Sequence, residues 1–397
     1  MISFDKLFSG LSLKGVFSFL YDFFSSTKLA VFFLFYLFLL TFLGTLYQVD
    51  YGLYSAQQRY FYSWFFLIGG FVPLPSVKLV LLFFSINLAV TAYRRYRFRI
   101  EKMGIILIHY GLLFLLVGSF VGHYSSQESF VSLLEGEETT FSEDYYNSEL
   151  VVWKEEPDKE NEGMVVQQIQ SYDLKYLEDL STSYGKEIIS FKDFGITLEP
   201  VYYYEHAGAS AVFEEGIESV SGIKSLDYQA LPKEREQILP GGVFILRADF
   251  LLLDRKILLW EGEGAPYTLE TSNGTYYIAI QRKRYEMPFK VKLRRFTREL
   301  YYASDIPKRF ESEVTVFKEG NEDLPARIYM NHPLRLDGLT FFQASFAMER
   351  DGGKRSIFAV VDHVGYLVPY ISSLIIALGM LYHFVYMMFK RRARKRS

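Results

Sequence analysis

KMGIILIHYGLLFLLVGSFVGHY, residues 102–124, is an almost unbroken apolar segment that contains His109 and ends beside His123. A run of about 20 apolar residues is long enough to cross a hydrocarbon core of about 30 Å as a helix. His109 lies about seven residues past Lys102, which at about 1.5 Å per residue places it about 10 Å inside the span. An ionisable side chain at that depth is costly unless it faces a cavity, a partner or a cofactor. We therefore expect either a functional histidine or a neutral imidazole bonded to a neighbouring helix.

The composition indicates membrane spans joined to a water-exposed domain. Half of the 397 residues are hydrophobic and 18% are aromatic, yet 22% are charged. The net charge of −3 averages basic membrane flanks and a more acidic middle, so it gives no indication of nucleic-acid binding. Because the chain has no cysteine, thiol exchange, disulfide formation and thiolate metal ligands are excluded.

Four apolar segments predict four spans, and the basic residues predict their orientation. Arginine and lysine crowd the loop before the third span and the tail KRRARKRS, residues 390–397. The positive-inside rule places both segments in the cytoplasm. We expect a multi-pass protein of the cytoplasmic (inner) membrane with both termini in the cytoplasm and the large domain extracytoplasmic. The predicted division is 1–28 an interfacial amphipathic helix, 29–124 three transmembrane helices, 125–362 an extracytoplasmic β domain, 363–390 the fourth transmembrane helix and 391–397 a basic cytoplasmic tail.

The long segment between the third and fourth spans has the pattern of an antiparallel β domain. Short runs alternate apolar and polar residues, such as FKVKLRRF from Phe289 and EVTVF from Glu313. Turn signals separate such runs, including Asp337-Gly338. The predicted fold class is a membrane protein with four transmembrane helices plus a large extracytoplasmic mainly-β domain, built as a sandwich or an open barrel.

Three other histidines lie at or near the predicted spans. His123 is 14 residues from His109, which at about 100° per residue returns it to within about 40° of the same helix face. His383 lies at a depth close to that of His109, so both are candidates for one inner-leaflet site, although a structural or lipid-interface role for His383 stays open. His363 is expected to be an ordinary residue of the membrane rim.

Several motifs, in order along the chain, resemble the ResB/CcsB family of cytochrome c biogenesis proteins (system II). They cover both membrane halves and the last third of the outer domain. The motifs are SSTKLAVFFLFYLFLLTFLGT (25–45), SWFF (63–66), INL (86–88), KMGIILIHYGLLFLLVG (102–118), IPKRFESEVTVFKEG (306–320), NHPLRLDGLTFFQASF (331–346) and VVDHVGYLVPYISSLIIALGM (360–380).

The resemblance implies a subunit that brings haem across the membrane for covalent attachment to apocytochrome c. His109, in the motif HYG, resembles the membrane histidine that the family uses as a haem ligand, so it is the candidate metal ligand. His109, His383 and His123 are the candidate cofactor-binding residues for haem b, held between two histidines. The implied partners are a CcsA-type tryptophan-rich membrane subunit, apocytochrome c and membrane lipid, and no nucleic acid.

The residues themselves agree with this role but leave alternatives. A histidine in a low-dielectric span tends to stay neutral, and neutral imidazole is a good iron ligand. No hydrolase triad, phosphate loop or zinc site is present, so no catalytic residue is assigned, and we expect a non-catalytic or co-catalytic subunit of a haem lyase complex. The alternative is a membrane-anchored scaffold whose outer domain binds envelope proteins without handling haem. A proton-coupled transporter is disfavoured because the spans carry no carboxylate in their interiors.

Overall fold

The computed structural model divides the chain into two compact units. Residues 1–126 and 363–397 form one, here called the helical unit, and residues 127–362 form the other, here called the β unit. The structure describes residues 13–95, 98–157, 164–174, 188–271, 274–302, 307–318, 320, 323–349, 352–363 and 365–396.

The helical unit contains five α-helices within the described ranges, and four helical runs are long and apolar enough to cross a membrane. The mean hydropathy of these four runs is between 1.5 and 2.4. The runs are Thr27–Tyr62, Val77–Arg95, Ile100–Ser125 and Val368–Arg391. The α-helices are α1 (Leu13–Phe24), α2 (Thr27–Ala56), α3 (Val77–Arg95), α4 (Met103–Ser125) and α5 (Val368–Arg396).

The first long helix bends before it ends. Gly52 has φ 80° and ψ 163°, a backbone conformation that a residue without a Cβ atom adopts at little cost. The chain then resumes as a helix and finishes in a π-helical turn over Gln57–Tyr62. Beyond it, Pro73 and Pro75 lie in a two-stranded hairpin, as expected for residues that cannot continue a helix. The hairpin strands are β1 (Phe65–Ile68) and β2 (Val72–Pro75).

A buried asparagine fixes α1 against α3. The Asn87 side chain donates through Nδ2 to the carbonyl oxygens of Phe24 at 2.6 Å and Ser26 at 3.0 Å. These carbonyls belong to the end of α1 and the residue before α2, where backbone acceptors lack helical partners. Arg94 pairs with Asp22 at 2.6 Å a little further along the same two helices. The polar residue inside the apolar α3 is therefore satisfied within the unit.

The β unit is built from strands β3 to β19 within the described ranges, joined by turns and short 3₁₀ helices. The strands are β3 (Gln127–Leu134), β4 (Glu138–Pro157), β5 (Met164–Asp173), β6 (Ile189–Phe191), β7 (Ile196–Tyr204), β8 (Ala207–Ala209), β9 (Ile217–Glu218), β10 (Leu226–Tyr228), β11 (Gly241–Ala248), β12 (Arg255–Trp260), β13 (Tyr267–Thr271), β14 (Gly274–Leu300), β15 (Pro307–Phe317), β16 (Leu324–Tyr329), β17 (Leu334–Leu336), β18 (Leu339–Met348) and β19 (Lys354–Asp362).

The largest sheet follows the order β16-β15-β14-β4-β3-β19-β18-β17, with β13 beside β14 and β5 beside β4. A second sheet has the order β6-β7-β11-β12-β9, and β8 pairs with β10. The β12–β9 pair is parallel, and the other described pairs are antiparallel. A bridge between Tyr329 and His332 links β16 to the residues before β17, so the two ends of the large sheet meet and nearly close it.

The 27-residue strand β14 contributes to two hydrophobic cores. Its first half buries residues such as Ile278 against β4, β7, β11 and β12, in a core between the two sheets. Its second half buries residues such as Val291 against β3, β15, β16, β18 and β19, inside the nearly closed part of the large sheet. The alternation of buried and exposed positions along β14 is that of a strand with one face in the core.

The predicted fold class is confirmed. One of the predicted hairpin turns is also present. Asp337 has φ 49° and Gly338 has φ 87°, which are the two positive values that a type I′ turn between antiparallel strands requires. This turn joins β17 to β18. Four membrane-length helical runs and a large, mainly β unit are both present in the described part of the chain.

Candidate functional site

His109 is half-buried in α4 and bonded to its own helix. Its Nδ1 atom lies 2.8 Å from the carbonyl oxygen of Ile105, one turn earlier. A carbonyl oxygen only accepts hydrogen bonds, so the bond requires the proton on Nδ1. With the proton on Nδ1, Nε2 is the ring nitrogen that can carry a lone pair. The helix itself thus supplies the hydrogen bond that orients the ring.

The side of α4 that faces away from His109 carries glycines and packs closely on α5. A Cβ atom on Gly104 would lie 2.7 Å from the carbonyl oxygen of Gly379, and one on Gly111 would lie 2.8 Å from a side-chain carbon of Ile376. A Cβ atom on Gly118 would lie closer still to the Val368 side chain. Small residues at a membrane helix contact allow the two backbones to approach. We call Gly104, Gly111 and Gly118 the glycine face of α4.

The glycine face and His109 point in different directions. At about 100° per residue, the direction of His109 differs by about 140° to 180° from those of the three glycines. Leu116, Phe120 and His123 fall within about 40° of His109 by the same rule. We call these four residues the histidine face. Helix α4 therefore has two functions in the fold, since one face contacts α5 and the other carries the two histidines predicted from the sequence.

An apolar cleft of about 450 Å³ lies between α3 and the second half of α4. Leu116, Phe120 and His123 of the histidine face line it, with Leu81 from α3 opposite. The His123 ring is exposed and stacks on Tyr62, with 4.8 Å between ring centroids and 28° between ring planes. The volume is within the range of ordinary small-molecule sites. The cleft is thus a cavity beside one of the predicted site residues.

His383 lies on the other side of α4 from His109. A Cβ atom on Gly104 would be 2.7 Å from the Cβ atom and 2.8 Å from the backbone nitrogen of His383, so His383 belongs to the contact with the glycine face. The structure does not bring His383 and His109 to one point, and a ligand role for His383 stays a prediction. His363 also packs on this side, because its ring would meet a Cβ atom on Gly122 at 2.9 Å.

His109 and His123 are too far apart to hold one iron atom. Fourteen residues of helix separate them, which corresponds to about 21 Å along the axis. Imidazole nitrogen binds metal at about 2 Å, so the two ligands of one iron are only a few ångströms apart. His109 and His123 therefore cannot be the two ligands of a single iron atom.

The histidines of the β unit have structural partners. His206 Nδ1 accepts a hydrogen bond from the backbone N–H of Leu239 at 3.1 Å, and burial lowers the pKa of the imidazole. His332 is exposed and stacks on Tyr329 at 4.2 Å. Among the described residues no group of three or more histidine, aspartate and glutamate side chains is arranged to hold a metal ion.

Among the described residues, the most buried ion pair of the β unit belongs to a group that joins four of its segments. Arg282 in β14 donates from Nε to Glu261 Oε1 at 2.7 Å, and the two side chains are only 10% and 12% exposed. Arg282 also donates to the carbonyl oxygens of Tyr145, Glu236 and Ile238. Burial raises the pKa of Glu261, and the nearby Arg282 and Ser148 offset that rise only in part. This group is a structural tie, and Arg282 and Glu261 also line a cavity of about 400 Å³.

Sequence reasoning missed two features of the helical unit. The glycine face was visible as three glycines spaced by seven residues, a spacing that returns within about 20° of the same direction on a helix. The second feature is the position of Lys78, which lies between the Trp64 and Tyr124 rings at the cleft. A lysine at the start of a span gives no such signal in the sequence, because lysines are common at membrane rims.

The model of the ResB-like family matches residues 96–366, which is more than half of the chain. The chain belongs to the ResB-like family. The matched region includes α4 with His109 and His123, and the whole β unit. No curated protein matches the chain. The ResB-like family is membrane-associated and is connected with cytochrome c biogenesis, so this chain is a membrane-associated protein of that process.

Proposed function

We propose that this chain is a subunit of a system II cytochrome c synthase that helps export haem and presents it for covalent attachment to apocytochrome c. The observation that carries the proposal is His109 in a membrane-length helix of a ResB-like chain, with its Nδ1 bonded to the Ile105 carbonyl. In that tautomer Nε2 is the atom that binds haem iron. Haem is the cargo in this proposal, and the chain supplies one axial ligand to it.

The hydrogen bond at His109 supports ligation. A hydrogen bond from the other ring nitrogen fixes the ring orientation and raises the basicity of the ligand. The histidine face is turned away from α5, so we assign the second axial ligand to a partner subunit and not to His383. His123 is a contact for haem at a second position, nearer the end of α4.

The arrangement in the membrane is part of the proposal. Basic residues at the end of α3 and before α4 favour a cytoplasmic loop, and the same rule places both termini in the cytoplasm and the β unit outside. The partner is a CcsA-type subunit rich in tryptophan, since this chain has only three tryptophans. The β unit contacts this partner and apocytochrome c. The chain is then a non-catalytic or co-catalytic subunit of the complex.

Haem content tests the proposal. The full chain is purified in mild detergent after co-expression with a CcsA-type partner, and the absorption spectra of wild type and His109→Ala are compared. Wild type should show a Soret band and sharp reduced-state bands typical of two histidine ligands. In His109→Ala the haem content should fall by roughly tenfold or more, because loss of even an outer-shell partner of a metal ligand typically costs 10–100-fold.

Two controls make the result specific to ligation. Imidazole added to His109→Ala should restore part of the spectrum, since free imidazole replaces the missing ligand. His383→Ala should keep its haem, because His383 lies at the contact with the glycine face. Unchanged haem in His109→Ala would sink the ligand assignment, and the absence of haem from wild type with its partner would leave the scaffold alternative.

The proposed orientation is tested with single cysteines, since the chain has none of its own. Glu234→Cys, on an exposed position of the β unit, should react with a membrane-impermeant maleimide in intact cells. Arg99→Cys, exposed between α3 and α4, should react only after the membrane is opened. We expect at least a tenfold difference in labelling rate between the two sites in intact cells, because the bilayer excludes charged groups. The reverse pattern would invert the assigned topology.

A further inference from the structure

The cleft between α3 and α4 combines apolar walls with one cation. Its lining includes Leu81, Leu116 and Phe120, and almost all of its surface is apolar. Lys78 lies in the first turn of α3 and also lines the cleft. Its exposure is intermediate, so the ammonium group is neither buried nor fully in solvent. An apolar cavity lined by one lysine fits an amphiphile with an anionic head.

Two aromatic rings hold the ammonium group of Lys78. Its Nζ atom lies 4.8 Å from the centroid of the Trp64 ring and 4.6 Å from that of the Tyr124 ring. Cations near aromatic ring faces are attracted by the ring quadrupole. Tryptophan and tyrosine are also the residues enriched at the level of lipid headgroups. The lysine therefore has a defined position between two rings of the kind found at the level of lipid headgroups.

The counter-charge for Lys78 is not provided by the described part of the chain. Its electrostatic contacts there are with aromatic rings, and no described carboxylate forms an ion pair with it. The N-terminal end of the α3 dipole adds positive potential at the same place. Both contributions favour an anion from outside the chain.

We propose that this cleft binds one anionic phospholipid. Its acyl chain lies between α3 and α4 against Leu81, Leu116 and Phe120, and its phosphate pairs with Lys78. An acyl chain suits the cleft because a void between membrane helices forfeits the dispersion contacts of its walls. The phosphate suits Lys78 because an ammonium group and a phosphate carry opposite charges and attract each other. His109 does not line this cleft, but His123 does, so the lipid would compete with the second haem contact proposed above.

Native mass spectrometry of the full chain tests the proposal. The purified chain in mild detergent is stripped of lipid and then titrated with phosphatidylglycerol or phosphatidylcholine. Wild type should retain one phosphatidylglycerol at least tenfold more tightly than phosphatidylcholine, and its apparent melting temperature should rise with phosphatidylglycerol. Lys78→Gln should lose this preference, whereas Lys78→Arg should keep it because the charge is retained.

Two further variants separate the site from general membrane charge. Lys102→Gln, an exposed lysine next to the start of α4, is the matched control and should bind phosphatidylglycerol as wild type does. Ser85→Phe places a ring in the cleft, since Ser85 lines it and bonds only to the carbonyl of Leu81 in its own helix. It should lose the lipid while Lys78 is still present. Equal binding of both lipids by wild type, or unchanged preference in Lys78→Gln, would overturn the proposal.

The absorption spectrum of the same samples tests another occupant. Haem is also an apolar body with carboxylates, so a Soret band that requires Lys78 and is displaced by no phospholipid would overturn the lipid assignment. If His109→Ala loses haem and still binds phosphatidylglycerol with wild-type preference, both proposals stand. If Lys78→Gln keeps the lipid preference and His109→Ala loses haem, only the lipid site fails.

Discussion

Arg282→Ala is expected to destabilise the β unit by about 3–5 kcal/mol, because removing one partner of a buried ion pair leaves the other charge uncompensated. Glu261 would keep a bond from Ser148 Oγ at 2.7 Å but lose the Arg282 guanidinium. The carbonyl oxygens of Glu236 and Ile238 would each lose a donor at 2.8 Å. Hydrogen exchange of the full chain in detergent measures the effect. Amides of β4 and β14 should exchange roughly 100-fold to 3,000-fold faster.

The loss of stability in Arg282→Ala should depend on pH in a predictable direction. Burial raises the pKa of Glu261 in the folded protein above its ordinary value. A raised pKa means that the folded state binds the proton more readily, so this group favours folding most at low pH and less as the pH rises through the raised value. Without Arg282 the carboxylate loses a contact that lowers its pKa. The destabilisation should therefore be larger at pH values above the raised pKa than below it, where protonation removes the unpaired charge.

An exposed pair on the same strand is the control. Arg295 donates to Glu313 at 2.8 Å, but its side chain is 64% exposed, so water screens the interaction. Arg295→Ala should leave hydrogen exchange nearly unchanged. Equal effects of Arg282→Ala and Arg295→Ala on hydrogen exchange would show that the buried pair stabilises the β unit no more than the exposed pair does. The double variant Arg282→Met with Glu261→Gln should lower the stability of the β unit less than Arg282→Ala does, because it leaves no buried charge.

The spans were predictable because the bilayer imposes a local rule on length and apolarity. The span predicted over residues 102–124 differs from α4 by one residue at each end. Helix α2 continues past the polar residues Gln48 and Asp50 to Ala56, because a helix satisfies its own backbone hydrogen bonds whatever its side chains.

The β unit was predictable as strands and turns but not as a topology. Alternation and the Asp337-Gly338 signal are local, so they indicated strands and one correct hairpin. The pairing of β3 with β19 joins Gln127 to Asp362 across the whole unit, and no short-range pattern encodes that. The two roles of β14 depend on which strands cover each half. Such partners are set by long-range packing, which competes with many other registers of similar pattern.

The candidate site was likewise predictable only in part. Helical arithmetic placed His109 and His123 on one face, because the angle between residues of one regular helix follows from its geometry. The relation of His383 to His109 depends on how α5 is rotated against α4, which sequence spacing does not contain. The glycine face decides that rotation. The cleft and its Lys78 also arise from the contact of α3 with α4, and so appear only once the helices are packed.

Gly104→Ala is expected to disrupt the contact of α4 with α5. The new Cβ atom would lie 2.7 Å from the Gly379 carbonyl oxygen and 2.8 Å from the His383 backbone nitrogen. Backbone atoms of a regular helix do not yield individually, so the helices must separate. Overpacking of this kind lowers the free energy of unfolding by about 1–3 kcal/mol. The better helix propensity of alanine raises it by at most about 1 kcal/mol. The apparent melting temperature in detergent should fall, and it should fall further in Gly104→Leu.

Gly44→Ala is the matched control because its close contact can move. There the Cβ atom would lie 2.9 Å from the end of the Phe61 ring, a side chain that can rotate away. The variant should be neutral or slightly stabilising, since alanine favours the helix. A fall in melting temperature of the same size in both variants would indicate a general effect of alanine in these spans.

The same substitution also tests how the glycine face serves the proposed haem site. Gly104 lies about 140° around α4 from His109, so its side chain would not enter a site on the histidine face. If close contact with α5 sets the direction of that face, then Gly104→Ala should lower the haem content while Gly44→Ala leaves it unchanged. Normal haem in Gly104→Ala, measured where its melting temperature has fallen, would mean that the histidine face is held by α3 and the partner instead. Either result assigns the orientation of His109 to a specific helix contact.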